Sequence, residues 1–309
     1  MTAAPRAPRA AARARRVPWL FLAPAGTLFV LVFALPIGYT VYLSLQRVRI
    51  TGLGLEPGSR RQVFAGLANY RAVLTDAEFG AGILRVLGYG ALLVPLMLGL
   101  ALVFALLLDS GRARLRRLAR VAIFLPYAVP SVIASLLWGF LYLPAVSPLL
   151  NALTALSLPV PEPLAPSGVV FALVNIGLWG GVGYNMIVIY TTLRAVPPEL
   201  YEAARLDGCS EVQMALRIKI PLVAPALVLT GLFSVIATLQ VFAEPMALVP
   251  LTNSLSRTWS PLMKIYEDAF VFDDIHAAAA MSVLVAAGTL LLSSLFFRIG
   301  GTRAAGGGR

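Results

Sequence analysis

From residue 196 the chain reads Val196-Pro197-Pro198-Glu199-Leu200-Tyr201-Glu202-Ala203-Ala204-Arg205-Leu206-Asp207-Gly208, and it continues through Ser210 and Gln213 to Ile218-Lys219-Ile220-Pro221. Pro198 suits the first position of a helix, and Glu199 suits the positive end of the helix dipole. Leu200, Ala203, Ala204 and Asp207 recur at i, i+3, i+4 and i+7, which places them on one face. Gly208 closes the helix as a left-handed cap. Ser210 to Gln213 reads as a capping box that opens a second helix, expected to end before Pro221. The stretch is therefore a compact helix–turn–helix. Small residues on one side of its first helix let a partner groove approach the backbone closely. An ordinary amphipathic loop has the same spacing.

Outward from this loop the chain is strongly apolar. Of its 309 residues 59% are hydrophobic and only 13% charged, with a mean hydropathy of +0.84. A soluble globular chain carries about 25% charged residues. The same figures exclude disorder and a disulfide-stapled secreted domain. Six apolar segments, at 19–45, 83–108, 121–143, 168–193, 222–243 and 276–298, each supply the roughly 20 helical residues that cross a bilayer core. Lipid offers no partner to an unpaired backbone group, so the spans are helical. The expected fold is an all-α integral membrane protein with six transmembrane helices. It divides into a basic N-terminus (1–18), one membrane domain (19–298) that contains the loop at 196–221, and a tail (299–309) read as disordered from Gly300 onward. The arginine-rich start resembles a signal-peptide n-region, but the apolar stretch behind it is too long for a cleavable segment. No fixed-period repeat is visible.

Charge sets the orientation. Net charge is +11, yet only Lys219 and Lys264 are lysines. With the N-terminus in the cytoplasm, inside segments hold 17 Lys and Arg against 8 outside, which predicts both termini inside. The first outside segment, with six arginines from Arg47 to Arg85, runs against that trend. Basic residues confined to loops between apolar runs point to an anionic membrane face, not to nucleic acid. One cysteine (Cys209) and one histidine (His276) leave no basis for a disulfide or a metal centre. Among the outside segments, 46–82 carries a helix-like stripe of Phe64, Leu67, Tyr70, Val73 and Leu74. Residues 144–167 hold six prolines and a short interfacial helix at Leu149–Leu156, and 244–275 is a second long loop.

Glu202-Ala203-Ala204, Gly208 and Ile218-Lys219-Ile220-Pro221 together resemble the EAA loop of bacterial ABC importer permeases, with Ile220 where that loop usually ends in Leu-Pro. The form Tyr201-Glu202-Ala203-Ala204-Arg205-Leu206-Asp207-Gly208 is similar to the carbohydrate-uptake branch, the maltose, glycerol-phosphate and lactose types. Further likeness lies at Gly66 to Tyr70 with Phe79, at Phe124-Leu125-Pro126 and Pro130, at Leu239 to Phe242 with Glu244-Pro245, and from Tyr266 to Ser282. The resemblance implies a bacterial inner-membrane permease subunit that imports a sugar or oligosaccharide by alternating access. It implies four partners besides the bilayer: a second homologous permease, a dimer of ATP-binding-cassette ATPases and an extracytoplasmic solute-binding protein. It further implies that Glu202, Ala203, Ala204, Asp207 and Gly208 couple the chain to the ATPase. The chain would need no cofactor, ATP and magnesium being bound by that ATPase. Neither lysine follows a glycine, so no GxxxxGK[ST] loop exists, and no catalytic constellation is present.

Ionisable residues at mid-span mark proton relays and ion sites. Asp109, Glu244, Arg85 and Arg298 all fall near predicted span ends, which fits a neutral, polyhydroxylated cargo. Span four offers Asn175, Trp179 and Gly183 at i, i+4 and i+8, with Tyr184 and Asn185 alongside. Span five offers Thr230, Ser234, Thr238 and Gln240. Amides and hydroxyls can hydrogen-bond a sugar, and an aromatic face can cover its C–H surface. The candidate pathway is Asn175, Trp179, Tyr184, Asn185, Ser234, Thr238 and Gln240. Small polar residues at four-residue spacing also serve as helix–helix glue. Glu244 is either an ordinary interfacial charge or part of an outer gate. Two other functions stay open: a permease for glycerol phosphate, and a stand-alone secondary transporter.

Overall fold

The computed structural model describes residues 21–50, 60–110 and 115–305. The basic segment 1–18 lies outside them. In chain order the elements are α1 (Phe21–Ser44), a hairpin of β1 (Gln46–Ile50) and β2 (Arg60–Phe64), α2 (Ala68–Leu74) and α3 (Ala77–Asp109). Then come α4 (Arg116–Phe124) with a 3-10 turn at Leu125–Ala128, α5 (Ser131–Tyr142), α6 (Pro148–Ala155) and α7 (Val169–Arg194). The chain closes with α8 (Pro198–Leu206), α9 (Glu211–Leu239), α10 (Ala243–Leu248), α11 (Pro261–Phe270) and α12 (Ile275–Ala305). Among the described residues five helices, α1, α3, α7, α9 and α12, are long and apolar enough to cross a bilayer. A sixth crossing arises if the bent pair around residues 129–130 counts as one.

That pair corrects the straight third span expected at 121–143. The arm Arg116–Ala128 meets α5 at 98°. Pro130 forces Val129 into extended backbone, at φ −81° and ψ 127°, and no helix runs through it. Other expectations also change. Arg49 and Arg61 face each other across the β1–β2 hairpin, and Phe64 belongs to β2, so the helical stripe is limited to Tyr70, Val73 and Leu74 of α2. The segment 244–275 is a folded cap: α10 and α11 bury Leu248, Trp259 and Met263 against the bundle. The fifth span stops at Leu239, short of the expected 243. The helix opened by Ser210 does not end before Pro221, because a π turn at Ala215–Lys219 carries it into the span. The last helix runs to Ala305, into the tail read as disordered.

α3 and α7 form the central seam. Between spans already in lipid there is no hydrophobic gain, so van der Waals contact holds them and small residues set the approach. Ala101 and Ala105 of α3 are fully buried, packed with Met186 and Ile189 of α7. A Cβ at Gly183 would come 2.7 Å from Phe124 Cα and closer still to the Ile123 carbonyl, so the α4 and α7 backbones touch there. Asn69 of α2 donates to the carbonyls of Ser44 and Gln46 at 2.8 and 2.7 Å, which fixes the exit from α1. His276 is buried and bonded through Nδ1 to the Leu43 carbonyl at 3.0 Å. It ties α12 to α1.

Candidate functional site

Two regions stand out, a cavity within the bundle and the exposed helix α8. The cavity measures about 840 Å³ and is bounded by α3, the bend at 126–131, α7, α9 and the break at 240–244. The break exists because α9 ends at Gln240 and Phe242 leaves helical geometry, with φ −143° and ψ −54°. Tyr184, Asn185, Ser234, Thr238 and Gln240 all line this cavity. Asn175 and Trp179 do not. Asn175 donates to the Tyr142 hydroxyl at 2.8 Å, and Trp179 meets Trp138 edge to face at 6.1 Å, both on the seam with α5. The stripe that faces the cavity is Ile176, Gly177, Gly180, Gly181, Tyr184 and Asn185.

The lining combines an aromatic wall with unused hydrogen-bonding capacity. Tyr127 and Tyr184 stack at 5.0 Å with 21° between their planes. Asn185 donates to the Gly181 carbonyl at 2.9 Å, while its buried Oδ1 has no partner. Thr238 donates within its own helix to the Ser234 carbonyl at 2.7 Å, so its hydroxyl is committed to backbone. Glu244 is the one charged side chain in the lining. Tyr127 and Glu244 were not in the candidate pathway. Tyr127 is invisible to periodicity because it sits in the bend.

α8 is held at its ends and open along one side. Pro198 is its first residue and Glu199 lies in its first turn. Its C-terminus is a Schellman motif: Cys209 N–H donates to Ala204 and Gly208 N–H to Arg205, with Gly208 at φ +79°. Ser210 then caps α9 through a reciprocal bond with Gln213. Of the expected coupling residues, Glu202, Ala203, Asp207 and Gly208 are exposed, but Ala204 is buried and turns inward with Tyr201. The open face is therefore Glu199, Glu202, Ala203 and Leu206. Leu206, at 89%, is more exposed than any other large apolar side chain among the described residues. Burial pushes the Tyr201 phenol up, as does the Asp109 carboxylate, with Arg194 opposing. No cluster of His, Cys, Asp and Glu among the described residues is arranged to hold a metal.

Comparison with known proteins follows the same lines. Residues 81–301 match the family described as "Binding-protein-dependent transport system inner membrane component". The chain is 29% identical over 293 residues to the trehalose transport system permease protein SugA of Mycobacterium tuberculosis, covering 95% of this chain and 91% of that protein. It is 28% identical over 290 residues to the sn-glycerol-3-phosphate transport system permease protein UgpA of Salmonella typhimurium, covering 93% and 94%. In fold it is similar to a chain of a bacterial ABC transporter that imports the acidic polysaccharide alginate, with TM-score 0.77 at 18% identity over 93% of this chain and 96% of that one.

Proposed function

The chain belongs to the family of binding-protein-dependent transport system inner membrane components, and from that premise we propose that it is the permease subunit of an ATP-binding-cassette importer for a neutral sugar or oligosaccharide. It is a membrane subunit without catalysis of its own. In this reading it pairs with a second, homologous permease. A dimer of ATPase subunits binds ATP and magnesium and docks on α8, and a solute-binding protein delivers cargo from outside. Both termini lie in the cytoplasm, and the division into a basic start, one membrane domain and a short tail follows the spans.

The observation that carries the cargo class is the lining of the 840 Å³ cavity. Stacked tyrosines offer an apolar face to a pyranose ring, and the Asn185 amide lines the same cavity beside them. Ser234 and Gln240 add polar groups on the facing wall. A phosphate or carboxylate cargo would meet no cation here and would face Glu244, a repulsion strengthened by the low dielectric. This favours a neutral cargo over the glycerol-phosphate alternative. Alternating access follows if closure of the ATPase dimer moves α8, opens the cavity outward to receive sugar, and hydrolysis returns it inward.

Uptake into inside-out-free proteoliposomes holding the whole complex tests this reading. Uptake of at least one member of a panel of neutral sugars that includes trehalose, dependent on ATP and on the binding protein and insensitive to glycerol 3-phosphate, is expected. Uptake driven by an ion gradient without ATP, or preference for the phosphorylated solute, would refute it.

A further inference from the structure

A buried ion pair ties the coupling region to the bundle. Lys219 Nζ lies 2.5 Å from Asp109 Oδ2, a pair 110 residues apart in sequence, with side chains only 6% and 4% exposed. Asp109 is the last residue of α3, and Lys219 closes the π turn that leads into α9. The same ammonium stands over the Tyr201 ring at 4.9 Å from its centroid. Tyr201 is the inward side chain of α8, and its hydroxyl donates to the Leu193 carbonyl in the last turn of α7 at 3.4 Å. One cation therefore meets α3, belongs to α9, and holds α8 through an aromatic face. Beyond its chain connections, α8 buries only Ala204.

We propose that Lys219, clamped between Asp109 and Tyr201, is a positioning residue that makes α8 and the cytoplasmic ends of α3 and α9 move as one body; this rests on α8 being the coupling helix. The physical reason is the cost of leaving an ion unpaired in a dry place. Lys219 cannot slide away from Asp109 in small steps, because each intermediate position strands a charge. A push on α8 then reaches the ammonium through the Tyr201 face and passes directly to two spans. The π turn serves this geometry: it inserts a residue into the helix and turns Lys219 inward, the buried residue of that turn.

The test uses the assembled complex, with Cys209→Ser removing the native thiol. Spin labels are placed at Leu107→Cys near the end of α3 and at Arg205→Cys on the flank of α8. Both positions are exposed. The Leu107–Arg205 distance is read without nucleotide and after trapping with ATP and vanadate. With Tyr201 intact, the same mean distance is expected in both states. Tyr201→Leu should give two different means, and Tyr201→Phe, which keeps the ring, should restore one. A shift on trapping in the chain with Tyr201 intact overturns the proposal without relying on any variant. Equal behaviour of Tyr201→Leu and the unaltered chain overturns it as well. Collision of the Arg205 label with a water-soluble paramagnetic reagent reports docking separately. Loss of protection at this label together with loss of the ATPase from the purified complex defeats the coupling reading itself, whereas an ATPase-bound complex whose distance shifts defeats only the joint.

Discussion

α3 ends in a lysine-bound carboxylate at both extremities, and the two ends differ in burial. The chain has two lysines among 25 basic residues, and both are used this way. At the C-terminus of α3, Asp109 holds Lys219 in a pair almost closed to solvent. At the N-terminus, Asp76 caps the helix through the Glu78 and Phe79 amides and pairs with Lys264 at 3.2 Å. Lys264 shares its charge with Asp268 at 3.1 Å, and the Asp76 side chain is still 31% exposed. Nearby, Glu78 takes Arg85 at 2.8 Å and the Thr258 hydroxyl at 2.9 Å, both on a wetter rim. The C-terminal end commits one ammonium to one carboxylate, and the N-terminal end shares one ammonium between the buried Asp268 and the part-exposed Asp76.

The comparison predicts unequal losses. Lys219→Ala leaves the Asp109 carboxylate buried and unpaired, and should destabilise the solubilised protein by about 3–5 kcal/mol. Lys264→Ala should cost less, about 1–3 kcal/mol, most of it from the buried Asp268 carboxylate, since Asp76 keeps its two amide donors and can rehydrate. Thermal unfolding in detergent reads both, and equal losses would dissolve the distinction between the ends. The smallest effect is with pH. Burial alone would raise the Asp76 carboxyl, but the Phe79 amide and Lys264 together bring it below its ordinary value. Burial likewise opposes the Lys264 charge, and Asp268 and Asp76 outweigh it, which raises that group. A lowered carboxyl stabilises above its unfolded value and loses that contribution as pH falls through the folded one. A raised lysine keeps its contribution until pH rises through the folded value. The difference in thermal midpoint between unaltered and Lys264→Met protein should therefore be flat through neutral pH and shrink at both extremes, as pH falls through the lowered Asp76 value and as it rises through the raised Lys264 value. A difference that changes near neutrality would place another titrating group at this end.

Much of this was legible in the sequence where one local rule governs. Apolar length located the crossings, and Gly208 and the Ser210–Gln213 pair gave both caps of the α8–α9 turn. What escaped depends on neighbours. Pro126 and Pro130 were visible, but the 98° bend depends on how α5 packs. The face of α8 was read a third of a turn off: Ala204 turns inward with Tyr201, whose ring meets a lysine 18 positions later. Of the expected pathway residues, Asn175 and Trp179 lie off the cavity, because polarity does not distinguish an amide that bonds Tyr142 from one that lines a cavity. The hairpin was missed because Arg49 opposite Arg61 is a pairing that strand propensity disfavours.

The central claim is that α8 presents Ala203 and Leu206 to an ATPase. The most direct measurement is affinity purification of the tagged chain from native membranes in mild detergent, beside Ala203→Trp and Leu206→Asp. The unaltered chain is expected to retain an ATPase and a second permease, and both variants to lose the ATPase while keeping the permease. Full retention of the ATPase by both variants, or its absence from the unaltered complex, would contradict it.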